Sequence, residues 1–282
     1  KAAFNHNIPF VLSTVTTASI ESISEITEGR AWFQLYHPAE ERVTKDLLKR
    51  AEAAHCPVLV ILADVPSFGY RPRDIRNGLS MPPKMTVSNI LSAMKRPHWA
   101  LNTLINGQPS FEILKPYMQK NLNLNQLAKF MDATFSGRLN EDKIKRIRDL
   151  WKGKLVLKGA ESIHDVEKAY QLGLDGVIIS NHGGRQVDVG QATIESLNTI
   201  VPLYKDKIKV MMDSGIRGGA DVARVMASGA DFSFMGRTFM YGVSALGKKG
   251  GNHTIAMLKT QLTQVMEQMS CAEVNDLTKN LI

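Results

Sequence analysis

Short apolar runs recur along the chain at Phe10–Leu12, Trp32–Leu35, Val58–Leu62, Leu155–Leu157, Val177–Ile179, Val210–Met212 and Phe232–Met235. Longer stretches with apolar residues at helical spacing alternate with them, over Ile20–Thr27, Glu40–Ala54, Ile163–Leu172 and Gly219–Ala227. Short runs read as strands buried on both faces, and the alternation predicts repeated βα units around a parallel sheet. Seven such strands suggest a (β/α)8 TIM barrel whose first strand is not in this sequence. A doubly wound open sheet produces the same alternation, so periodicity leaves the two open. A single barrel occupies about 250 residues, so residues 1–282 are expected to form one domain.

The rhythm breaks once, between Asp64 and about Asn140. This stretch contains Pro66, Pro72, Pro82, Pro83, Pro97 and Pro109, with weak helical patterning at Val87–Met94 and Leu122–Phe130. A loop of that length inside a compact domain is usually functional, so residues 65–140 are expected to form an active-site lid. Its middle, Met94-Lys95-Arg96-Pro97-His98-Trp99, mixes basic and aromatic residues as membrane-surface segments do. A hydrophobic plug on an ordinary loop accounts for it equally well.

Composition narrows the class. Apolar residues make up 44% of the chain, enough for a large core, which excludes a disordered protein. The formal charge of +8 is scattered, with its densest run at Lys143–Arg148. Such a run is usually a solvated helix face, the alternative being a patch for a polyanion or anionic lipid. Cys56 and Cys271 are the only cysteines and lie in no metal or disulfide spacing, which fits a reducing cytoplasm. No run approaches the roughly 20 apolar residues of a membrane span, and the stretch from Lys1 lacks a signal-peptide core. Peripheral attachment to the inner face of a membrane is the membrane option that remains.

In a barrel the active site gathers at the carboxyl ends of the strands, so the polar residues just past each apolar run are the candidates. They are Ser13, Gln34 with Tyr36, Asp64, Lys158, His182 with Arg185, Asp213 with Arg217, and Gly236 with Arg237. The most informative segment is Ser180-Asn181-His182-Gly183-Gly184-Arg185-Gln186. Its glycines let the backbone bend around a ligand, a neutral imidazole accepts a proton near pH 7, and a guanidinium grips a carboxylate through two parallel hydrogen bonds. A base beside a carboxylate clamp is what oxidation of a 2-hydroxy acid requires.

Asp213-Ser214-Gly215-Ile216-Arg217-Gly218-Gly219 and Met235-Gly236-Arg237 carry the second signal. Glycine-rich turns and a helix amino terminus after the last two barrel strands commonly bind phosphate. A flavin mononucleotide phosphate fits there, and so does a sugar phosphate. Lys158, at the end of its apolar run, separates the two if its ammonium stabilises negative charge on a reduced flavin ring. The competing reading is a lysine snorkelling from the barrel mouth.

On these segments the chain resembles the FMN-dependent L-2-hydroxy acid oxidases and dehydrogenases, from about Pro9 to Ile282. The motifs are Leu12-Ser13-Thr14, Trp32-Phe33-Gln34-Leu35-Tyr36, Arg71 through Asp74, Leu157-Lys158-Gly159, the His182 heptad, Asp213-Ser214-Gly215-Ile216-Arg217 and Gly236-Arg237. The resemblance implies a (β/α)8 barrel with FMN across its mouth, held by Ser13, Gln34, Lys158, Asp213, Gly215, Arg217, Gly236 and Arg237. It implies that Tyr36 hydrogen-bonds the substrate, that Arg71 and Arg185 bind its carboxylate, that His182 is the base, and that Asp64 orients the imidazole. Within the family the likeness is to membrane-associated L-lactate and mandelate dehydrogenases. Ser13-Thr14-Val15 is similar to the lactate type. Phe68-Gly69-Tyr70-Arg71, His98-Trp99 and Arg148-Asp149-Leu150-Trp151 are similar to the mandelate type. Val15 stands where plant-type glycolate oxidases usually carry Trp, which leaves a roomier pocket.

Two departures accompany the likeness. Leu62 stands where the family usually has Thr near the flavin, so one cofactor hydrogen bond is expected to be absent. The family's amino-terminal segment, with the first strand and a substrate-binding Tyr, is not in this sequence, so two unpaired sheet edges are expected. A polypeptide beginning at Lys1 is accordingly expected to be poorly soluble and to hold FMN weakly. The expected activity is oxidation of an L-2-hydroxy acid of the lactate or mandelate class, with electrons passed to a quinone-like acceptor. Relatives of this kind commonly form tetramers, and no nucleic-acid partner or metal is expected. The rivals are an oxidase that releases hydrogen peroxide and an inactive truncated barrel with a scaffolding role.

Overall fold

The computed structural model describes residues 1–66, 71–78, 86–107, 110–119, 122, 124–135, 138–187 and 189–280. Seven parallel strands form one sheet: β1 (Val11–Ser13), β2 (Trp32–Leu35), β3 (Val58–Leu62), β4 (Lys154–Ala160), β5 (Gly176–Ile179), β6 (Lys209–Met212) and β7 (Phe232–Ser233). Their order in the sheet is their order in the chain. That order decides between the two architectures left open by periodicity, because a doubly wound sheet must reverse direction at a switch point. The sheet also curls: β2 and β7 are not neighbours, yet the rings of Trp32 and Phe234 lie 5.5 Å apart. The chain therefore has the curled parallel sheet of a (β/α)8 barrel, with seven strands among the described residues where the full barrel has eight.

The two-residue period of the strands sorts their side chains into an inside and an outside. Val58, Val60, Val156, Ile178 and Met211, packed with Val11, Trp32 and Phe234, fill the barrel. The intervening residues, among them Phe33, Leu35, Leu59, Ile61, Leu155, Val177, Ile179 and Val210, form the larger core under the helices. Helices Ile20–Thr27 and Gly219–Ala227 have the bounds predicted, Glu41–Ala53 is one residue shorter at each end, and Ile163–Gln171 is one residue shorter at its carboxyl end. Ser162 and Asp165 cap each other's backbone at the start of Ile163–Gln171, which explains that sharp boundary.

Within the sheet β4, β5 and β6 each start one residue before the expected run and β4 continues to Ala160, and the two edge strands differ as well. β1 runs one residue further than its apolar stretch, so Ser13 pairs in register with Gln34 as part of the sheet. β7 is two residues shorter than the run Phe232–Met235. Phe234 still donates to the Met212 carbonyl at 2.8 Å, but the chain then turns at Gly236 to begin the helix Arg237–Leu246.

Within residues 65–140 the described residues form α-helices Pro72–Arg76, Val87–Met94, Pro97–Asn106 and Leu124–Thr134, and helix Glu141–Leu150 follows before β4. Val87–Met94 has the bounds expected, whereas Leu124–Thr134 starts and ends later than Leu122–Phe130. The other two begin with a proline, whose fixed φ suits a first helical turn and whose absent N–H goes unmissed there. Pro82, Pro83, Pro109 and the motif residues Phe68, Gly69 and Tyr70 lie outside the described residues.

Candidate active site

The inward face of the strands ends in polar residues rather than valines, and four of these converge. Lys158 is the last inward side chain of β4 before a register shift, and it is buried rather than snorkelling outward. Its ammonium lies 3.2 Å from Asp64 Oδ2, 3.1 Å from Asp213 Oδ2 and 2.6 Å from Ser180 Oγ. Burial acts to depress its pKa, but Asp213 and Asp64 outweigh burial and hold it above the ordinary lysine value. Lys158 is therefore a permanent cation at neutral pH.

Asp64 joins this cation to the imidazole. Its Oδ1 lies 3.2 Å from His182 Nδ1. Burial raises the Asp64 pKa, and the hydrogen bond from His182 with the charge of Lys158 more than reverses that, so the carboxyl titrates below its usual range. The position of Asp64 depends on Gly159. At φ +93° Gly159 forms the bulge of β4, and a Cβ there would stand 2.6 Å from Asp64 Cβ and 2.7 Å from Asp64 N. Only glycine suits both the conformation and the approach. The sequence contained Gly159 within a motif but no reason for it.

Ser180 is the residue that sequence reasoning quoted without a role. Fully buried, its hydroxyl accepts from Lys158 Nζ and from His182 N at 3.1 Å, and it donates to Asp64 Oδ2 at 3.3 Å. One hydroxyl with every bonding direction used thus links the cation, the carboxylate and the backbone of His182. No periodicity marks such a residue, because its role arises from three separate strand ends.

His182, Gly183 and Gly184 all have left-handed backbones, with φ of 55°, 71° and 68°. Two glycines make this run tolerable, and three hydrogen bonds hold it. Gly183 N donates to Ser214 Oγ at 2.9 Å, Gly184 N to Asn181 Oδ1 at 3.0 Å, and Arg237 Nη2 to the Gly183 carbonyl at 2.7 Å. Ser214 Oγ in turn donates to Asp213 Oδ1 at 2.8 Å. Asp213 and Arg237, expected only as cofactor ligands, therefore also support the loop that carries His182.

Arg71 lies in the segment after β3 and Arg185 in the loop after β5, with only β4 between the two strands. Arg71 Nη2 donates to Gln186 Oε1 at 2.8 Å, and Arg185 Nη2 to Asp74 Oδ2 at 3.2 Å. Arg71 Nε is buried with no hydrogen-bond partner among the described residues. Tyr36, half-buried, stacks edge-on against Phe135 with centroids 5.9 Å apart, and packs with Val15, Phe111, Leu114 and Met131. Burial raises its phenol pKa, against the opposing charge of Lys158, with Asp64 adding a smaller upward effect and Ser13 and Arg71 smaller downward ones. Leu62 is buried against the same wall, beside Ala63 and Tyr36. Ser13 and Gln34 sit side by side on the inward faces of β1 and β2, and Ser13 Oγ accepts from Val15 N at 3.2 Å.

The glycine-rich turns divide their work. In the first, the N–H groups of Arg217 and Gly218 bond Asp221 Oδ2 at 2.9 and 3.1 Å, and Gly219 N bonds Gln261 Oε1 at 2.9 Å. Those donors are occupied from within the fold. By contrast, a Cβ placed on Gly215 or Gly236 would meet nothing within 4 Å, so both border open space. Thr238 Oγ1 donates to the Ile216 carbonyl at 3.2 Å and ties the two turns together, with Arg217 and Arg237 beside them.

The whole chain, residues 1–282, matches the FMN-dependent dehydrogenase family. It is 35% identical over 283 residues to an L-lactate dehydrogenase of Actinobacillus pleuropneumoniae serotype 5b (strain L20), covering 100% of this chain and 74% of that protein. It is 35% identical over 278 residues to an L-lactate dehydrogenase of Bartonella tribocorum (strain CIP 105476 / IBS 506), covering 98% and 72%. Among solved structures it superposes on the monotopic membrane protein (S)-mandelate dehydrogenase with a TM-score of 0.90 and 32% identity, over 98% of this chain and 73% of that one. A mandelate oxidase matches with a TM-score of 0.78 and 29% identity, over 98% and 70%.

Proposed function

The chain belongs to the FMN-dependent dehydrogenase family, and on that premise we propose that an L-2-hydroxy acid of the lactate or mandelate class is oxidised to its 2-oxo acid at the Asp64–Lys158–His182 cluster. The residues present fit FMN. Gly215 and Gly236 leave the open cradle a phosphate needs, Arg217 and Arg237 supply positive charge, and Lys158, Ser13 and Gln34 end the inward faces of their strands. Bound FMN supplies the acceptor for two electrons.

The observation that carries the reading is the bond between His182 Nδ1 and Asp64 Oδ1. With Nδ1–H donated to the carboxylate, Nε2 holds the lone pair and takes the substrate proton. The Asp64 carboxylate then stabilises the imidazolium. Arg71 and Arg185 bind the substrate carboxylate, Tyr36 hydrogen-bonds the substrate, and Lys158 maintains positive charge behind the reacting centre. The test is anaerobic mixing of the holoenzyme with L-lactate, L-mandelate and their D enantiomers. Rapid bleaching of the flavin absorption by an L acid alone is expected, and no bleaching by either L acid would overturn the reading.

Electrons leave to a quinone-like acceptor, with residues 65–140 acting as the lid and as the surface that meets a membrane. No helix among the described residues is long and apolar enough to cross one. Helices Val87–Met94 and Pro97–Asn106 nevertheless expose Val87 (75%), Met94 (69%), Leu104 (82%) and Ile105 (71%), with Lys95 and Arg96 between them. Apolar side chains beside basic ones suit an interfacial segment. Changing Leu104 and Ile105 together to Asp is expected to lower partitioning onto anionic vesicles about 100-fold, at roughly 1.5 kcal/mol per side chain, while flavin bleaching stays unchanged. Undiminished vesicle binding would refute this surface. Peroxide release under air, rather than reduction of a quinone, would make the chain an oxidase like its structural neighbour.

A further inference from the structure

Two bonds run in parallel between the segment after β3 and the loop after β5. Arg71 donates to Gln186, and Arg185, next to Gln186, donates to Asp74, three residues beyond Arg71. Together they clip helix Pro72–Arg76 to the loop that carries His182. The arrangement brings two guanidinium groups near one another and sets one carboxylate, Asp74, among them. Burial, and then the charge of Arg185, oppose the charge on Arg71, while Asp74 supports it. Two cations against one anion leave a single net positive charge, which one substrate carboxylate neutralises. The buried Arg71 Nε has no partner among the described residues and is a donor still to be met.

We propose that Asp74 is a positioning residue for substrate binding: it draws Arg185 toward Arg71, offsets the repulsion between the two guanidinium groups, and so shapes a subsite for one carboxylate. The proposal rests on the reading of Arg71 and Arg185 as the carboxylate clamp. Asp74 touches no reacting atom and acts through Arg185. A surface ion pair with Arg185 at 42% exposure is worth little to the fold, so a merely structural Asp74 would leave substrate affinity unchanged when neutralised.

The test uses the holoenzyme and 2-hydroxy-2-methylpropanoate, a 2-hydroxy acid with no hydrogen on its reacting carbon, titrated by the change in flavin absorption. Asp74→Asn is expected to raise its Kd on the order of tenfold, since Arg185 loses the ion pair that holds it toward Arg71 and this loss of positioning outweighs the added positive charge. The limiting rate of flavin bleaching by the preferred L acid should change by less than about threefold, because His182 and Asp64 are untouched. Asp74→Glu should recover most of the affinity. In an Arg185→Met background, which itself raises Kd, Asp74→Asn should add no more than about twofold, the mark of a residue acting through its partner. An unchanged or lower Kd in Asp74→Asn, or a fully additive effect with Arg185→Met, would overturn the proposal while leaving the clamp intact. No effect of Arg185→Met alone would instead remove the clamp, and the role of Asp74 with it.

Discussion

His182→Gln is expected to retain FMN and to lose substrate-driven bleaching by at least about 10²–10⁴-fold, the usual contribution of a positioned general base. Glutamine has similar reach and leaves the backbone bond from residue 182 to Ser180 in place, as it does the bonds of Gly183 to Ser214 and Arg237. What it lacks is a group that takes a proton at neutral pH. The loss should therefore fall on the limiting rate, with the Kd of a 2-hydroxy acid that cannot be oxidised changed far less. Anaerobic stopped-flow mixing reads both quantities. A limiting rate within tenfold of that of the unmodified protein would remove His182 from the role of base.

Lys158→Met is expected to be the most destabilising change in the site. Methionine nearly matches the length of lysine but leaves Asp64 and Asp213, both within 3.2 Å of the lost nitrogen, without their shared cation. Breaking a buried pair from one side costs about 3–5 kcal/mol, on the order of 10 °C in Tm for a chain of this size. The pH dependence has a definite sign. In the unmodified protein Lys158 titrates above its unfolded value, so its contribution is complete at neutral pH and is lost only as pH rises through that raised value. Asp64 titrates below its unfolded value, so its contribution is present above the usual carboxylate range and fades as pH falls through the lowered value. Without the cation the burial of Asp64 loses much of what opposes it, its carboxyl shifts upward, and acid relieves the strain. The stability gap should be widest near pH 7 and should narrow toward about pH 4. Urea unfolding across that range measures it, and a gap that is small or independent of pH would mean that Lys158 is not the counter-ion the geometry makes it.

The sequence by itself determined the repeating βα units, because each strand and helix is specified by residues next to one another in the chain. Runs such as Val58–Leu62 are too short and too apolar to be anything but buried strands, and Ser162 with Asp165 caps its helix locally. It also determined which residues end the strands with polar groups, since Lys158 and Asp213 each follow an apolar run directly and His182 follows one by three positions. The family likeness added roles to those residues, and the match over residues 1–282 agrees with it. Only the tertiary structure decided between a barrel and an open sheet, because strand order is a relation between segments up to 222 residues apart, from Val11 to Ser233, that local periodicity does not encode. It alone decided that Ser180 joins Lys158, Asp64 and His182, and that Gly159 is there to admit Asp64. It alone turned Asp74 from part of a motif into the counter-charge of Arg185, 111 residues away. A hydrogen bond or ion pair depends on distance and direction in space, and those are set when β3 through β6 curl side by side and present their alternate residues to one interior.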